Sequence, residues 1–270
     1  MNKVGKIILL VLLIILVIGL SISLALFIKN DYSFDFFYKK LELIDSKEFD
    51  SINNLNINTD TADVYIKTSE NNMVKVELYS NDAKENEIEN TANSLNVILK
   101  QECHFFCFVN KSKINVYLPA SYSNDINIVS TTGDIFADDY ASSNLNLVLT
   151  TGDVFLKNVK NAEINVTTGD IKINSVNDVK IKTTTGDIVL GKVNNYLDLE
   201  TTTGDIDIDE ANLSKNSTIN ATTGDINIKK INDVYVDAKT TTGDTDVENN
   251  NRKSDIELSI KTTTGDVRVN

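Results

Sequence analysis

Residues 179–206 read VKIKTTTGDIVLGKVNNYLDLETTTGDI, two passes of one pattern, with glycines at Gly186 and Gly204. Before Gly186 the apolar residues Val179 and Ile181 fall on odd positions; after it, Ile188 and Leu190 fall on even ones. Alternation with a period of two is strand periodicity. The change of parity across Gly-Asp requires a bend between two strands, and a glycine free to take positive φ is the usual means of building one.

The same signal runs outward in both directions. Thr-Thr-Gly-Asp occurs eight times, with glycines at Gly133, Gly152, Gly169, Gly186, Gly204, Gly224, Gly243 and Gly265. The aspartates that follow are Asp134, Asp153, Asp170, Asp187, Asp205, Asp225, Asp244 and Asp266. The widest interval between motifs is the last one, from Gly243 to Gly265. Five positions before each glycine stand Ile128, Leu147, Ile164, Ile181, Leu199, Ile219, Ala238 and Ile260. Two after it stand Ile135, Val154, Ile171, Ile188, Ile206, Ile226, Thr245 and Val267; seven after it, Val159, Val176, Val193 and Ile231 mark a third inward side. A unit of this size cannot bury its own apolar face, so units must stack on their neighbours. The expected fold is all-β: a single-stranded parallel β-solenoid, or β-helix, with one rung per repeat of about 19 residues. It is regular over 125–270 and about 40 Å long at roughly 4.8 Å per rung.

Residues 51–124 read as irregular first rungs or a cap. Leu55, Ile57, Thr59, Thr61, Ala62, Asp63, Val64 and Ile66 repeat the pattern with Ala62 in the glycine's place. Met73 to Leu78, Leu95 to Leu99 and Ile114 to Leu118 alternate as strands, with an acidic insertion around 81–90. The chain stops at Val269 and Asn270 just after a motif, so that end is expected to be a bare edge able to pair with another chain.

Ahead of the repeats, the run from Ile7 to Ile28 carries no charge. As a helix it would be about 33 Å long, enough for one membrane crossing. The expected division is a cytoplasmic tail (1–6), a transmembrane anchor (7–28), a linker (29–50), the cap (51–124) and the regular solenoid (125–270), the C-terminal part being extracytoplasmic. Lys3 and Lys6 precede the run while Lys29, Lys39 and Lys40 follow it, so nearby positive charge does not decide the orientation. The competing reading is a cleaved signal peptide, with Ser23 and Ala25 as the small residues.

Composition removes several functions. A formal charge of -13 argues against nucleic-acid binding, and two cysteines with one histidine leave little for a disulfide scaffold, a zinc site or a His-based catalytic centre. Stacking would place the eight motif aspartates in a column. Its plainest role is local, each carboxylate accepting backbone N–H groups at the bend. Two other readings are a Ca2+ ladder on the same aspartates and a Thr-x-Thr ice-binding array at Thr183/Thr185, Thr201/Thr203, Thr240/Thr242 and Thr262/Thr264. Catalysis needs a unique constellation, whereas these acids recur on every rung, so no enzyme, catalytic residue or cofactor is expected. Cys103-His104-Phe105-Phe106-Cys107-Phe108 reads as a cap strand buried on both faces, or as a ligand-facing aromatic patch or a loop closed by a Cys103–Cys107 disulfide, which would require a tight turn at His104 to Phe106.

An N-terminal apolar segment, Tyr117-Leu118-Pro119 and the Thr-Thr-Gly-Asp-Ile run together resemble the bacterial "putative adhesin" domain family, including its LiaG-like members encoded beside envelope-stress regulators of Gram-positive bacteria. The resemblance covers roughly residues 50 to 270. It implies a β-solenoid exposed at the cell envelope, with cell-wall polymers or envelope proteins as partners and no catalytic residues to transfer. The function expected is a non-enzymatic, membrane-anchored surface protein. The alternatives are an accessory or sensory component of an envelope-stress response and a carbohydrate-active β-helix enzyme.

Overall fold

The structure, a computed structural model, describes residues 3–29, 40–101, 112–248 and 250–270. They fall into two units, each taken by itself. The first is helix α1, Lys3–Lys29, 27 residues long. From Leu9 to Leu20 its large apolar side chains point outward on every side, each about half exposed. Among the described residues no helix is long and apolar enough to cross a membrane.

The second unit is a 19-stranded sheet. In chain order its strands are β1 (Glu42–Phe49), β2 (Asn54–Thr59), β3 (Ala62–Thr68), β4 (Val74–Ser80), β5 (Ala83–Asn90), β6 (Ser94–Gln101), β7 (Ser112–Leu118), β8 (Ile126–Thr132), β9 (Ile135–Thr151) and β10 (Val154–Thr168). They continue as β11 (Ile171–Thr185), β12 (Ile188–Thr203), β13 (Ile206–Ala211), β14 (Ser217–Thr223), β15 (Ile226–Ile228), β16 (Tyr235–Thr242), β17 (Thr245–Val247), β18 (Glu257–Thr264) and β19 (Val267–Val269). Each motif bends the chain from one strand to the next, and the strands on either side pair in parallel with those of adjacent rungs.

Register follows from the apolar pattern. Ile164 stands opposite Leu147 and Ile181, and Ile171 opposite Val154 and Ile188, all buried. The third side is filled by Val159, Val176 and Val193, joined by Tyr140 and Ala211, which occupy the same place in their rungs. A one-residue slip would turn every one of these side chains to water, so the stack has one register. On the outer surface, side-chain amides form a second ladder: Asn127 Nδ2 donates to Asn56 Oδ1 at 2.9 Å and Asn146 Nδ2 to Asn127 Oδ1 at 2.8 Å.

The ends are not threaded in sequence order. The degenerate rung β2–β3 lies inside the stack, paired with β8–β9 on one side and with β6–β7 on the other. β4 then pairs antiparallel with β7, β1 with β4, and β5 with β6. Residues 42–49, expected as linker, are therefore a strand of the cap. The acidic insertion is also a strand, exposed but for Ile88, and its charges discourage further pairing at that edge.

At the other end the expected bare edge is corrected. The last strands, β18–β19, insert between β14–β15 and β16–β17, and Val267 and Val269 are fully buried. The Asn270 amide donates to the Ile228 carbonyl at 3.0 Å, and the Val269 carbonyl accepts from Glu248 at 2.9 Å. The outermost rung is β16–β17, where self-association through this end would have to occur. It is the rung in which Ala238 and Thr245 stand where the other rungs carry Ile, Leu or Val, and among the described residues no strand pairs with its outer side.

The ice-binding array is overturned by direction. Thr183 and Thr201 point into the core, 3% and 2% exposed, while Thr185 and Thr203, the last strand residues before the bend, are exposed, so neither pair presents both threonines on one face. Neither buried hydroxyl has a hydrogen-bond partner. Val166 occupies the same column one rung earlier, opposite Thr183. An unsatisfied buried hydroxyl costs about 1–3 kcal/mol, so Thr183→Val and Thr201→Val are each expected to stabilise the protein by about 1 kcal/mol, seen as a higher urea midpoint with an unchanged slope. The cluster at 103–108, including the question of a Cys103–Cys107 bond, lies outside the described residues.

Candidate functional site

The eight motif aspartates are brought into one column, in the spatial order Asp134, Asp153, Asp170, Asp187, Asp205, Asp225, Asp266 and Asp244, with Asp63 of the degenerate rung at its head. The glycine amide of each motif except the outermost, that of Gly243, donates to a threonine carbonyl of the next rung, as Gly169 does to Thr185 at 2.9 Å, and the ladder resumes with Ile171 donating to Asp187 at 2.9 Å. Between them the aspartate amide turns the other way. Asp170 N–H donates to Asp153 Oδ1 at 2.8 Å, and Asp187 N–H to Asp170 Oδ1 at 2.9 Å. Two carboxylates one rung apart repel by about 1 kcal/mol in water, whereas a hydrogen bond to a charged acceptor contributes about 1.5–3 kcal/mol. The column is thus held by its own bends, in agreement with the local reading. Among the described residues no three Asp, Glu, His or Cys side chains are grouped to hold a metal.

Only an acceptor is needed for that role. Asp170→Asn, which keeps Oδ1 and removes a repelling charge, is expected to change stability by less than about 0.5 kcal/mol, whereas Asp170→Ala strands the Asp187 amide and is expected to cost about 1–2 kcal/mol. Urea unfolding of the two variants side by side checks this, and equal losses would refute it.

The repeats are least alike where a distinct site lies. In the column three positions past the glycine, the first three rungs carry Tyr65, Phe136 and Phe155. Their rings stack along the rod, Tyr65 to Phe136 at 4.7 Å and 5°, Phe136 to Phe155 at 5.1 Å and 10°. Further along, the same column holds Lys172, Val189, Asp207, Asn227, Arg268 and Asp246. Beside the rings runs a parallel column of Lys67, Asp138, Lys157 and Asn174, and the two enclose a groove of about 420 Å³.

The groove's charges are of two kinds. Lys157 donates to Asp138 at 2.7 Å, and this hydrogen bond raises its pKa above the usual lysine value. Lys67 instead lies over rings, 5.2 Å from the centroid of Tyr65 and 5.7 Å from that of Tyr117, and Lys113 lies 4.7 Å from Tyr79 and 6.0 Å from Tyr65. Among the described residues Lys67, Lys113 and Lys172 make no ion pair. Burial, then the charges of Asp63 and Asp134, raises the Tyr65 pKa, keeping its hydroxyl a donor. Beneath the groove's N-terminal end, burial opposes ionisation of Glu77, but hydrogen bonds from Lys75, Tyr79 and Asn115 outweigh it and lower its pKa. Tyr65, Lys67, Phe136, Phe155, Lys157 and Lys172 were not singled out in the sequence. The signal was available: an aromatic residue at one fixed place in three successive rungs and nowhere else in that column.

Fold and groove together define a repetitive parallel β-solenoid carrying a surface groove whose lining does not repeat. The family described as Toastrack DUF4097 matches residues 52–270, and the chain belongs to it. Solved structures with a similar fold include a "putative adhesin" from Bacteroides fragilis, 14% identical, covering 86% of this chain and 98% of that one with a TM-score of 0.49. Others are a "putative adhesin" from Parabacteroides merdae, 14% identical (85% and 97% covered, TM-score 0.43), and a "putative lipid binding protein" from Parabacteroides distasonis, 15% identical (84% and 96%, TM-score 0.45). Among curated proteins none matches this chain.

Proposed function

We propose that the protein is a non-enzymatic, adhesin-like component of the cell envelope, anchored in the membrane by residues 7–28 with residues 1–6 cytoplasmic and the solenoid outside. The observation that carries the reading is the pairing of a repetitive scaffold with a groove whose lining aromatic and basic residues do not repeat along the rod. A rod whose aspartates are engaged in its own bends offers no recurring catalytic group, and an open groove along it suits an extended partner such as a cell-wall polymer or an envelope protein. The anchor is supported by the uncharged run and by the uniformly apolar surface of α1, since a helix that is apolar all round needs a membrane or a core to cover it.

Fractionation of cells producing the chain with a C-terminal tag tests both parts. The tag is expected in the membrane fraction, released by detergent but not by high salt, and removed by protease added to intact cells. A soluble or protease-protected tag would overturn the reading.

A further inference from the structure

Within the adhesion role proposed above, we infer that the groove between Tyr65, Phe136 and Phe155 on one side and Lys67 and Lys157 on the other binds an acidic polysaccharide laid along the rod. Three features converge on that chemistry. The stacked rings spend their faces on one another, so they turn edges rather than faces to the groove, and a ring edge is the positive part of the aromatic quadrupole. Sugar rings therefore have no free aromatic face to stack on within the stack, whereas negatively charged groups meet a favourable wall. Lys67 at one end and Lys172 at the other, three rungs or about 14 Å apart, are cations without a carboxylate partner among the described residues, in a chain whose formal charge is -13. Between them the Tyr65 hydroxyl, the Asn174 amide and the Asp138–Lys157 pair supply donors and acceptors for hydroxyl groups.

The groove is lined by four successive rungs and so follows the rod axis, which favours an extended chain over a compact ligand. The aspartate column lies two positions from the rings and four from the column of Lys67 and Lys157, the latter about 13 Å along the strand. That exceeds the screening length of about 8 Å at physiological salt, so the column's repulsion is largely screened at Lys67 and Lys157, while Lys172, two positions from Asp170, stands within it and offsets part of the column's charge at that end.

The test is binding of the full chain in detergent to polygalacturonate, with neutral dextran and phosphatidylglycerol vesicles as the other arms. Wild-type protein is expected to bind polygalacturonate but not dextran, and more weakly as salt rises. Lys67→Gln with Lys172→Gln is expected to weaken binding about tenfold at an unchanged melting temperature. Lys261→Gln, an exposed lysine on the strand before the bend, removes a charge elsewhere and is expected to have no effect. Equal weakening by Lys261→Gln, no preference for polygalacturonate over dextran, or binding confined to the vesicles would each overturn the inference. Cell fractionation reads the anchored surface role independently, so either can fail alone.

Discussion

Gly186→Ala is expected to lower the stability of the solenoid by about 4 kcal/mol, and to split its unfolding into two transitions. Gly186 has φ of 139°, a region that side chains with a Cβ rarely enter, and residues held in such regions carry about 1–3 kcal/mol of strain. A Cβ there would also lie 2.0 Å from the carbonyl oxygen and 2.6 Å from the carbonyl carbon of Gly169 in the rung below. Those are backbone atoms fixed by parallel ladders on both sides, so the added methyl forces the rungs apart rather than displacing a mobile side chain. In a stack where each rung touches only its neighbours, stability is a sum of rung and interface terms. A weakened interface in the middle therefore lets the two halves unfold separately. Gly243→Ala serves as the comparison. Its Cβ would meet the Gly265 carbonyl at 2.3 Å, but the rung of Gly243 is outermost and free to shift outward, so a loss of about 1–2 kcal/mol is expected. Urea unfolding followed by circular dichroism reads both, and a single transition for Gly186→Ala at the wild-type midpoint would refute the argument.

What could be read in the sequence depended on whether neighbours along the chain are also neighbours in space. Through the middle of the rod they are. Intervals as short as those from Gly152 to Gly169 and on to Gly186 leave no slack for reaching any rung but the next. The bend, the inward columns and the degenerate rung at Ala62 therefore followed from periodicity and turn chemistry alone. At the ends the connections lengthen and adjacency fails. The stretch from Gly243 to Gly265 includes a loop long enough to carry the chain back inside its predecessor, and Ala238 with Thr245 already marked the displaced rung as the one without a neighbour. For the site, the aspartates were conspicuous because they repeat, yet repetition follows from a demand made by every bend. Their hydrogen bonds to amides one rung away involve no neighbour in sequence and needed the stack to be seen. Tyr65, Phe136 and Phe155 were overlooked for the opposite reason, because attention to what recurs in every rung passes over what recurs in three. Thr183 and Thr201 misled because strand parity stops giving the face as the chain nears the corner: Thr185 and Thr203, the last strand residues before Gly186 and Gly204, are already exposed.

A chain ending at Asn250 is expected to lose the rung before its new end as well as the residues removed. β16 and β17 pair only with β18 and β19, so deletion of 251–270 takes away every ladder partner of residues 235–247. It also removes Leu258, Ile260, Val267 and Val269, all fully buried, at about 1.5–3 kcal/mol of apolar burial each. The outer rung then faces β14 and β15 across a gap of two rung spacings, roughly 9.6 Å. Sliding inward would set Ala238 and Thr245 against Ile219 and Ile226, where Ile260 and Val267 stood, leaving cavities and a buried hydroxyl in place of contact. Hydrogen exchange is expected to show amides 235–247 unprotected in the truncated chain, and the strands from β8 to β13 protected as before. In the intact chain the amides of Val267 and Asn270 are expected to outlast those of Lys239 and Thr245, the reverse of ordinary fraying at a terminus, since the former are enclosed by a rung on each side. Because the gap is a strand-shaped slot with backbone groups left unpaired on both walls, a peptide of residues 251–270 added in trans is expected to fill it and restore protection. Protection of 235–247 that survives truncation without the peptide would mean that the rung slides, and would refute the expectation that the chain's last strands hold its outer end in place.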